Sequence, residues 1–267
     1  MDAVRFVAVG ELLVDVVAAG AGHDARIGVG PAGSAFNAAV AAAAAGADAT
    51  VVGTVGDDPA GRMVLAELAA RGVHADVSVA DGRTGTFLLA DGEVRVDRGV
   101  SHDLVLPDRI EADAVLVSGY VPAAAEALAR ARAPWVALDA ARLAELPPGG
   151  TAVIANEEAA RRLTGRDPEE AAAELGTRYR LACVTRGPLG AVAVLDGRLE
   201  SAAADPVPGD APGAGDAFAA GVLVELARGA ELAQALAEGC RLGAAAAASP
   251  AGQEYVRRAR VRRKEEP

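Results

Sequence analysis

The stretch Asp210-Ala211-Pro212-Gly213-Ala214-Gly215-Asp216-Ala217-Phe218 concentrates more chemistry than any other in the chain. Its glycines remove side chains where a backbone must approach a ligand closely, and a helix-forming run begins at once. The first N–H groups of a helix lack intrahelical partners and the helix dipole favours negative charge there. Gly213, Ala214 and Gly215 therefore suit an anion such as phosphate. Asp216 falls in the first turn, beside that cradle. A carboxylate so placed can take the proton of an attacking hydroxyl while the amides hold the charge of a transferring phosphoryl group. The same residues also suit a plainer arrangement, a Gly-rich turn with Asp as the helix cap. Local chemistry leaves both readings open.

Other candidate groups are weaker. Gly28-Val29-Gly30-Pro31-Ala32-Gly33 fits Gly-x-Gly-x-x-Gly, a dinucleotide fingerprint. That reading needs a strand before the glycines and an acid at the end of the next strand. Residues 24–27 make a poor strand and the next one ends in Val55-Gly56, so an NAD-linked function is set aside. Arg98 can reach an anionic or polyhydroxylated ligand, or stand as a solvated rim arginine. His102 has no serine or metal partner in view and reads as a surface residue. Asp139, at a strand end, is a site residue or a helix cap. Cys183 and Cys240 lack metal-ligand spacing and sit in apolar runs, so they read as inert buried thiols.

The rest of the sequence bounds the function. A net charge of −11 excludes nucleic acid as the main partner, since phosphate backbones require clustered Lys and Arg. The one basic cluster, six positive residues between Arg257 and Lys264, reads as a solvated C-terminal tail over 257–267. The apolar runs 3–9 and 38–45 are too short for a signal peptide or a membrane span. A soluble, cytoplasmic protein without a membrane partner is expected.

The elements that must position these residues alternate between strand and helix. Strands are predicted at 6–9, 12–17, 50–55, 114–118, 135–138, 152–154 and 181–185. Helices are predicted at 34–45, 59–71, 122–132, 157–164, 214–228 and 231–248. Strands spaced by helices imply a mostly parallel sheet covered on both faces. Two hairpins break the rhythm, one around Asp91-Gly92 and one around Asp196-Gly197. The first reads as a small sheet projecting from the main domain. Hydrophobic residues reach 52% but aromatics only 3%, so the core must be built from Ala, Val and Leu in tight helix–sheet contact.

The glycine-aspartate stretch resembles the C-terminal signature of the PfkB or ribokinase-like carbohydrate kinases. It keeps Asp210, Gly213, Ala214, Gly215, Asp216 and Phe218, with Ala211 and Pro212 where two threonines usually stand. Further segments follow in family order over most of the chain. Gly10-Glu11-Leu12-Leu13-Val14-Asp15 resembles the first strand, whose Asp binds sugar hydroxyls. Pro31-Ala32-Gly33-Ser34-Ala35-Phe36-Asn37 resembles the substrate-contacting di-glycine motif, with Ala32 in place of its first glycine. Gly53 to Gly61 continues the pattern and is expected to shape the floor of the site. Val184-Thr185-Arg186-Gly187-Pro188-Leu189-Gly190 resembles the nucleotide-binding strand and turn. Asn156-Glu157-Glu158 resembles the start of an Asn-x-x-Glu motif that organises magnesium and phosphate through water. The expected glutamate falls at Ala159, with Glu158 one position earlier as a substitute.

The resemblance implies one ribokinase-like α/β domain over 1–267: a mostly parallel central sheet flanked by helices in three αβα layers, with a small β lid from about 12–30 and 84–100. It implies ATP and Mg2+ as cofactors and a small sugar as acceptor. Asp216 would be the base and Gly213, Ala214 and Gly215 the anion hole. Asp15, Gly33, Asn37 and Arg98 would hold the acceptor. Asn156, Thr185, Gly187, Gly190, Gly213 and Gly215 would hold ATP, with Glu158 near the metal through water. A nucleoside kinase of the same fold and a non-catalytic sugar-binding relative are the alternatives. Family members often pair their lids, so a homodimer through the lid is expected; a lid cut to about one hairpin would favour a monomer.

Overall fold

Short, alternately packed apolar runs set the architecture. The chain runs through β1 (Arg5–Val9), β2 (Leu13–Ala19), β3 (Arg26–Ala32), α1 (Ser34–Ala44), β4 (Asp48–Gly56), α2 (Pro59–Ala70), β5 (His74–Ala80), β6 (Thr84–Ala90), β7 (Glu93–Gly99), β8 (Ile110–Glu111) and β9 (Ala114–Ser118). It continues through α3 (Ala124–Arg130), β10 (Ala131–Arg132), β11 (Trp135–Asp139), β12 (Ala152–Asn156), α4 (Glu157–Thr164), α5 (Pro168–Leu175), β13 (Leu181–Thr185), β14 (Ala191–Leu195), β15 (Arg198–Ala202), α6 (Ala214–Ala227) and α7 (Leu232–Ala247). This computed structural model describes residues 2–19, 23, 25–90, 93–140, 142–205, 207 and 212–248. The Asp91-Gly92 turn, Asp210, Ala211 and the basic tail 257–267 lie outside the described residues.

Nine strands form the main sheet in the order β15-β14-β13-β12-β11-β9-β1-β4-β5. All neighbours from β13 to β5 are parallel, and β14 and β15 close one edge as an antiparallel hairpin. The central strands are apolar at successive positions because both faces are covered. Phe6 and Ala8 pack into the layer that contains α1, α6 and α7, whereas Val7 and Val9 pack into the layer that contains α3. Val153, Ala155, Ala182 and Val184 meet α4 and α5 on that second face. Alanines fill much of both layers, which lets the helices lie close to the strands. This is the three-layer αβα arrangement expected from the sequence.

A second sheet has the order β3-β2-β6-β7, with β2 and β6 parallel and the outer pairs antiparallel. It is larger than one hairpin, because β2 and β3 join β6 and β7. Gly28 and Gly30, read as a weak dinucleotide loop, are strand residues of β3. Asp58 ties this sheet to the main domain. It caps α2 by accepting from the Gly61 N–H at 2.7 Å and also accepts from the N–H and hydroxyl of Thr84 at the start of β6. His102, expected at the surface, is half-buried at the return from β7 to the core, with Nδ1 buried.

Edge strand β5 and helix α5 were not anticipated, and the helix expected at 122–132 is α3 over 124–130, followed by the two-residue β10. Cys183 and Cys240 are free and buried, and burial pushes both thiols up. Among the described residues no helix is long and apolar enough to cross a membrane.

Candidate active site

Parallel strands deliver their side chains to one edge of the sheet, and α/β proteins bind ligands beyond the carboxyl ends of their strands. Here β11, β12 and β13 end in Asp139, Asn156 and Thr185, Glu11 and Tyr120 lie two residues past the ends of β1 and β9, and all five border one cavity of about 660 Å³. The second sheet closes its other side through Leu13, Asp15, Phe87, Val94, Val96 and Arg98. The N-terminus of α6 and the start of α1 complete it through Gly213, Ala214, Gly215, Asp216, Gly33, Ser34 and Asn37. Gly187, Gly190 and Glu158 border the same space. The residues expected to act as base, anion hole, acceptor-holding, ATP-holding and metal-proximal groups thus border one cavity. Residues 53–61, expected at its floor, do not line it; they form β4 and the α2 cap that joins the two sheets.

At the centre, Asn37 Nδ2 donates to Asp216 Oδ2 at 3.0 Å. Gly213, with φ 91°, is the N-cap of α6, so Asp216 lies inside the first turn and makes no capping bond. The cap role that the sequence left open for Asp216 is therefore filled by another residue. A Cβ on Gly213 would lie 2.8 Å from Asn37 Nδ2, so only glycine lets the helix start reach this contact. Gly33, with φ 107°, plays the matching part before α1: a Cβ there would lie 2.3 Å from the Glu11 carbonyl oxygen. Burial pushes the Asp216 carboxyl up to about 8, and the carboxylates of Asp139 and Glu11 add to this against the Asn37 hydrogen bond. Asp139 ends β11 and borders the cavity.

Asp15 is half-buried and raised to about 6 by burial alone. It makes no hydrogen bond to the described residues. Strand register aligns it with Gly30 on one side and Phe87 on the other, and Phe87 with Val96, so one carboxylate stands in a row otherwise apolar or bare. Arg98 follows neither sequence reading closely. It borders the cavity, but its guanidinium is held by the buried carboxylate of Glu11 and lies over the Tyr120 ring at 6.0 Å. Glu11 is pushed up by burial, a shift that the Arg98 charge opposes.

At the other end, Asn156 and Thr185 are register partners on β12 and β13. Asn156 caps α4, accepting from the Ala159 N–H at 2.7 Å. Ala159 itself is fully buried, so this position offers the cavity no carboxylate. Glu157 and Glu158 both border the cavity, each paired with the arginine four residues on. Arg186 borders it too and is anchored to Glu169 at 2.8 Å, with Nε buried and unpartnered. Sequence reasoning missed Tyr120, Arg142 and Glu157 as cavity residues and did not foresee the Glu11–Arg98 pair. Tyr120 carried one usable signal, its position just past the end of a central parallel strand.

A strand-end cavity shared with a small second sheet, holding a carboxylate next to a glycine-opened helix start, is the architecture of a ribokinase-like kinase. Residues 4–257 match the pfkB family carbohydrate kinases, and the chain belongs to that family. Solved structures share the fold at low identity. Adenosine kinase from Sinorhizobium meliloti is 20% identical with TM-score 0.77, covering 99% of this chain and 100% of its own. Ribokinase from Thermotoga maritima is 19% identical with TM-score 0.77, covering 96% and 99%. A ribokinase from Arabidopsis thaliana, complexed with ribose and ATP, is 22% identical with TM-score 0.75, covering 96% and 99%. The chain is thus a sugar or nucleoside kinase by family.

Proposed function

We propose that this kinase transfers the γ-phosphoryl group of ATP to a hydroxyl of a small sugar or sugar-like molecule, with Asp216 as general base. The observation that carries this reading is the position of Asp216: in the first turn of α6, beside the backbone N–H groups of the helix start and against Asn37. The carboxylate takes the acceptor's hydroxyl proton as the new O–P bond forms and the bond to the β-phosphate oxygen breaks. The amides of the helix start hold the charge that develops on the phosphoryl oxygens. Asp15 orients the acceptor from the second sheet and Asn37 from α1. That sheet acts as the lid, whose closure excludes water and limits ATP hydrolysis.

ATP lies along Asn156, Thr185 and the Gly187–Gly190 turn. Among the described residues no group of three or more His, Cys, Asp and Glu could cage a metal. Mg2+ keeps several waters and is held by phosphates with one or two carboxylates. Glu157 and Glu158 border the cavity and would meet it through water. The metal supplies charge neutralisation on the phosphates.

Within this reading the site acts on a sugar, with a nucleoside as the second reading. Phe87 and Tyr120 on the acceptor side favour the second, as rings that could stack on a base. A homodimer paired through the lids, in the cytoplasm, completes the proposal. The test is an ADP-release screen over ketoses, aldoses, sugar acids, sugar phosphates and nucleosides. No turnover with any of them, together with measurable sugar binding, would overturn the catalytic reading in favour of a sugar-binding relative.

A further inference from the structure

Tyr120 is fixed by its backbone and left free at its hydroxyl. It follows β9, where the Gly119 N–H donates to the Asp139 carbonyl at 2.9 Å and locks the strand end against β11. The Tyr120 N–H donates to Ser118 Oγ at 3.2 Å, and that oxygen also accepts from Ser34 Oγ at 2.7 Å, at the first turn of α1. The Tyr120 carbonyl accepts from Arg98 at 3.5 Å, and the same guanidinium covers the ring. Since Glu11 holds Arg98, the ring is flanked by an ion pair, buried at Glu11 and half-buried at Arg98, anchored in β7 and in the turn after β1. Yet Tyr120 borders the cavity, and its phenol hydroxyl makes no hydrogen bond to the described residues.

Resting on the kinase reading above, we infer that Tyr120 is an acceptor-contacting residue whose hydroxyl donates a hydrogen bond to one oxygen of the molecule phosphorylated, with Arg98 and Glu11 as its positioning residues. The surroundings decide the direction of that bond. Burial pushes the phenol up to about 12, and the charges of Asp139, Asp216 and Glu11 add to this against Arg142. The hydroxyl therefore stays protonated across the working range. Asp15 and Asp216 can only accept when ionised, so each asks the acceptor for a hydroxyl proton. Tyr120 asks instead for an oxygen lone pair. An acceptor that matches this edge alternates donors toward the carboxylates with one oxygen turned to Tyr120, as a hydroxyl or ring oxygen of a sugar can.

The experiment uses D-ribose, D-fructose and adenosine as probes and takes whichever the wild-type enzyme turns over, together with its monodeoxy analogues. Tyr120→Phe is expected to raise KM for that acceptor by about 3- to 10-fold, the size of one neutral hydrogen bond, with kcat and KM for ATP unchanged. One monodeoxy analogue should lose affinity in the wild type and lose none further in Tyr120→Phe, which identifies the oxygen that Tyr120 reads. A packing role alone would lower the melting temperature without singling out one analogue. Unchanged KM in Tyr120→Phe, or equal losses for every analogue in both proteins, would overturn the inference. Wild-type protein that turns over none of the three probes would instead sink the kinase reading for them, and this inference with it.

Discussion

Asn37 and Asp216 are 179 positions apart in sequence, yet the Asn37 amide donates to the Asp216 carboxylate at 3.0 Å. The contact joins the first helix to the sixth, α1 to α6, over the centre of the main sheet. It needs two unusual backbone positions. Gly33 starts α1 under the Glu11 carbonyl, and Gly213 starts α6 against the Asn37 amide. The hydrogen bond favours the ionised carboxylate, while burial and the neighbouring Asp139 oppose it. A base held this way is a compromise between fold stability and proton affinity.

Asp216→Asn tests that compromise directly. The amide keeps a hydrogen-bond acceptor for Asn37 but cannot take a proton, so turnover should fall by about 10²–10⁴-fold with ATP binding retained. Stability should move the other way. Because the folded carboxyl is raised from 3.8 to about 8, ionisation in the unfolded chain costs the wild type stability as pH rises between those values. The variant escapes that cost. Its melting temperature should match the wild type near pH 4 and exceed it by roughly 5–10 °C at pH 8, with no further gain above. Calorimetry across pH checks the sign; a variant less stable at pH 8 would contradict the burial argument.

The same shift predicts the pH profile. A general base must be ionised in the free enzyme, so kcat/KM should rise with pH to a plateau above about 8. Asp139 contributes to the upward shift, so Asp139→Asn should move the rising limb to lower pH. A limb that stays in place in that variant would show that the Asp139 charge does not reach the base.

Much of this arrangement could be read from the sequence because its parts are local. The glycines and Asp216 stand within four residues, and the parallel order follows from strand and helix alternation. What escaped was non-local or masked by composition. Strand β3 alternates glycine with apolar residues, so it looked like a loop motif until its pairing with β2 supplied the missing hydrogen bonds. Strand β5 lies at a sheet edge with most of its residues exposed or half-buried, leaving little periodic signal. The Glu11–Arg98 pair spans 87 positions. Glu158 was chosen over Glu157 on motif spacing alone, whereas the turn of α4 brings both to the cavity.

Two neighbouring glycines should respond differently to the same change. Gly213→Ala puts a methyl at φ 91° and 2.8 Å from the Asn37 amide, so Asn37 must shift. Folding should cost about 1–3 kcal/mol, and turnover should drop as the base loses its partner. At Gly215 a Cβ meets nothing within 4 Å, and the residue borders the cavity. Gly215→Ala should fold as well as the wild type or better, by up to about 1 kcal/mol. Its methyl would stand in the proposed phosphate cradle, so KM for ATP should rise. Denaturant melts paired with ATP titrations separate the two, and equal effects from both would argue against the cradle.

The lid edge yields the last expectation. Ile27 and Val29 lie two residues apart on one face of β3 and are 66% and 54% exposed. β3 is an edge strand, and edge strands with bare apolar side chains invite pairing with another chain unless charged or covered. Arg26 is the only charged residue within β3, so the strand carries little to discourage such pairing. A second copy offering the same strand would bury both side chains in a two-fold interface, where each patch meets itself. Sedimentation of the wild type should therefore show a dimer at micromolar concentration. Ile27→Glu combined with Val29→Glu places like charges face to face across that axis and should yield a monomer with an unchanged circular dichroism spectrum. A wild type that sediments as a monomer would remove the lid-paired dimer from the proposal, leaving the site chemistry untouched because neither residue borders the cavity.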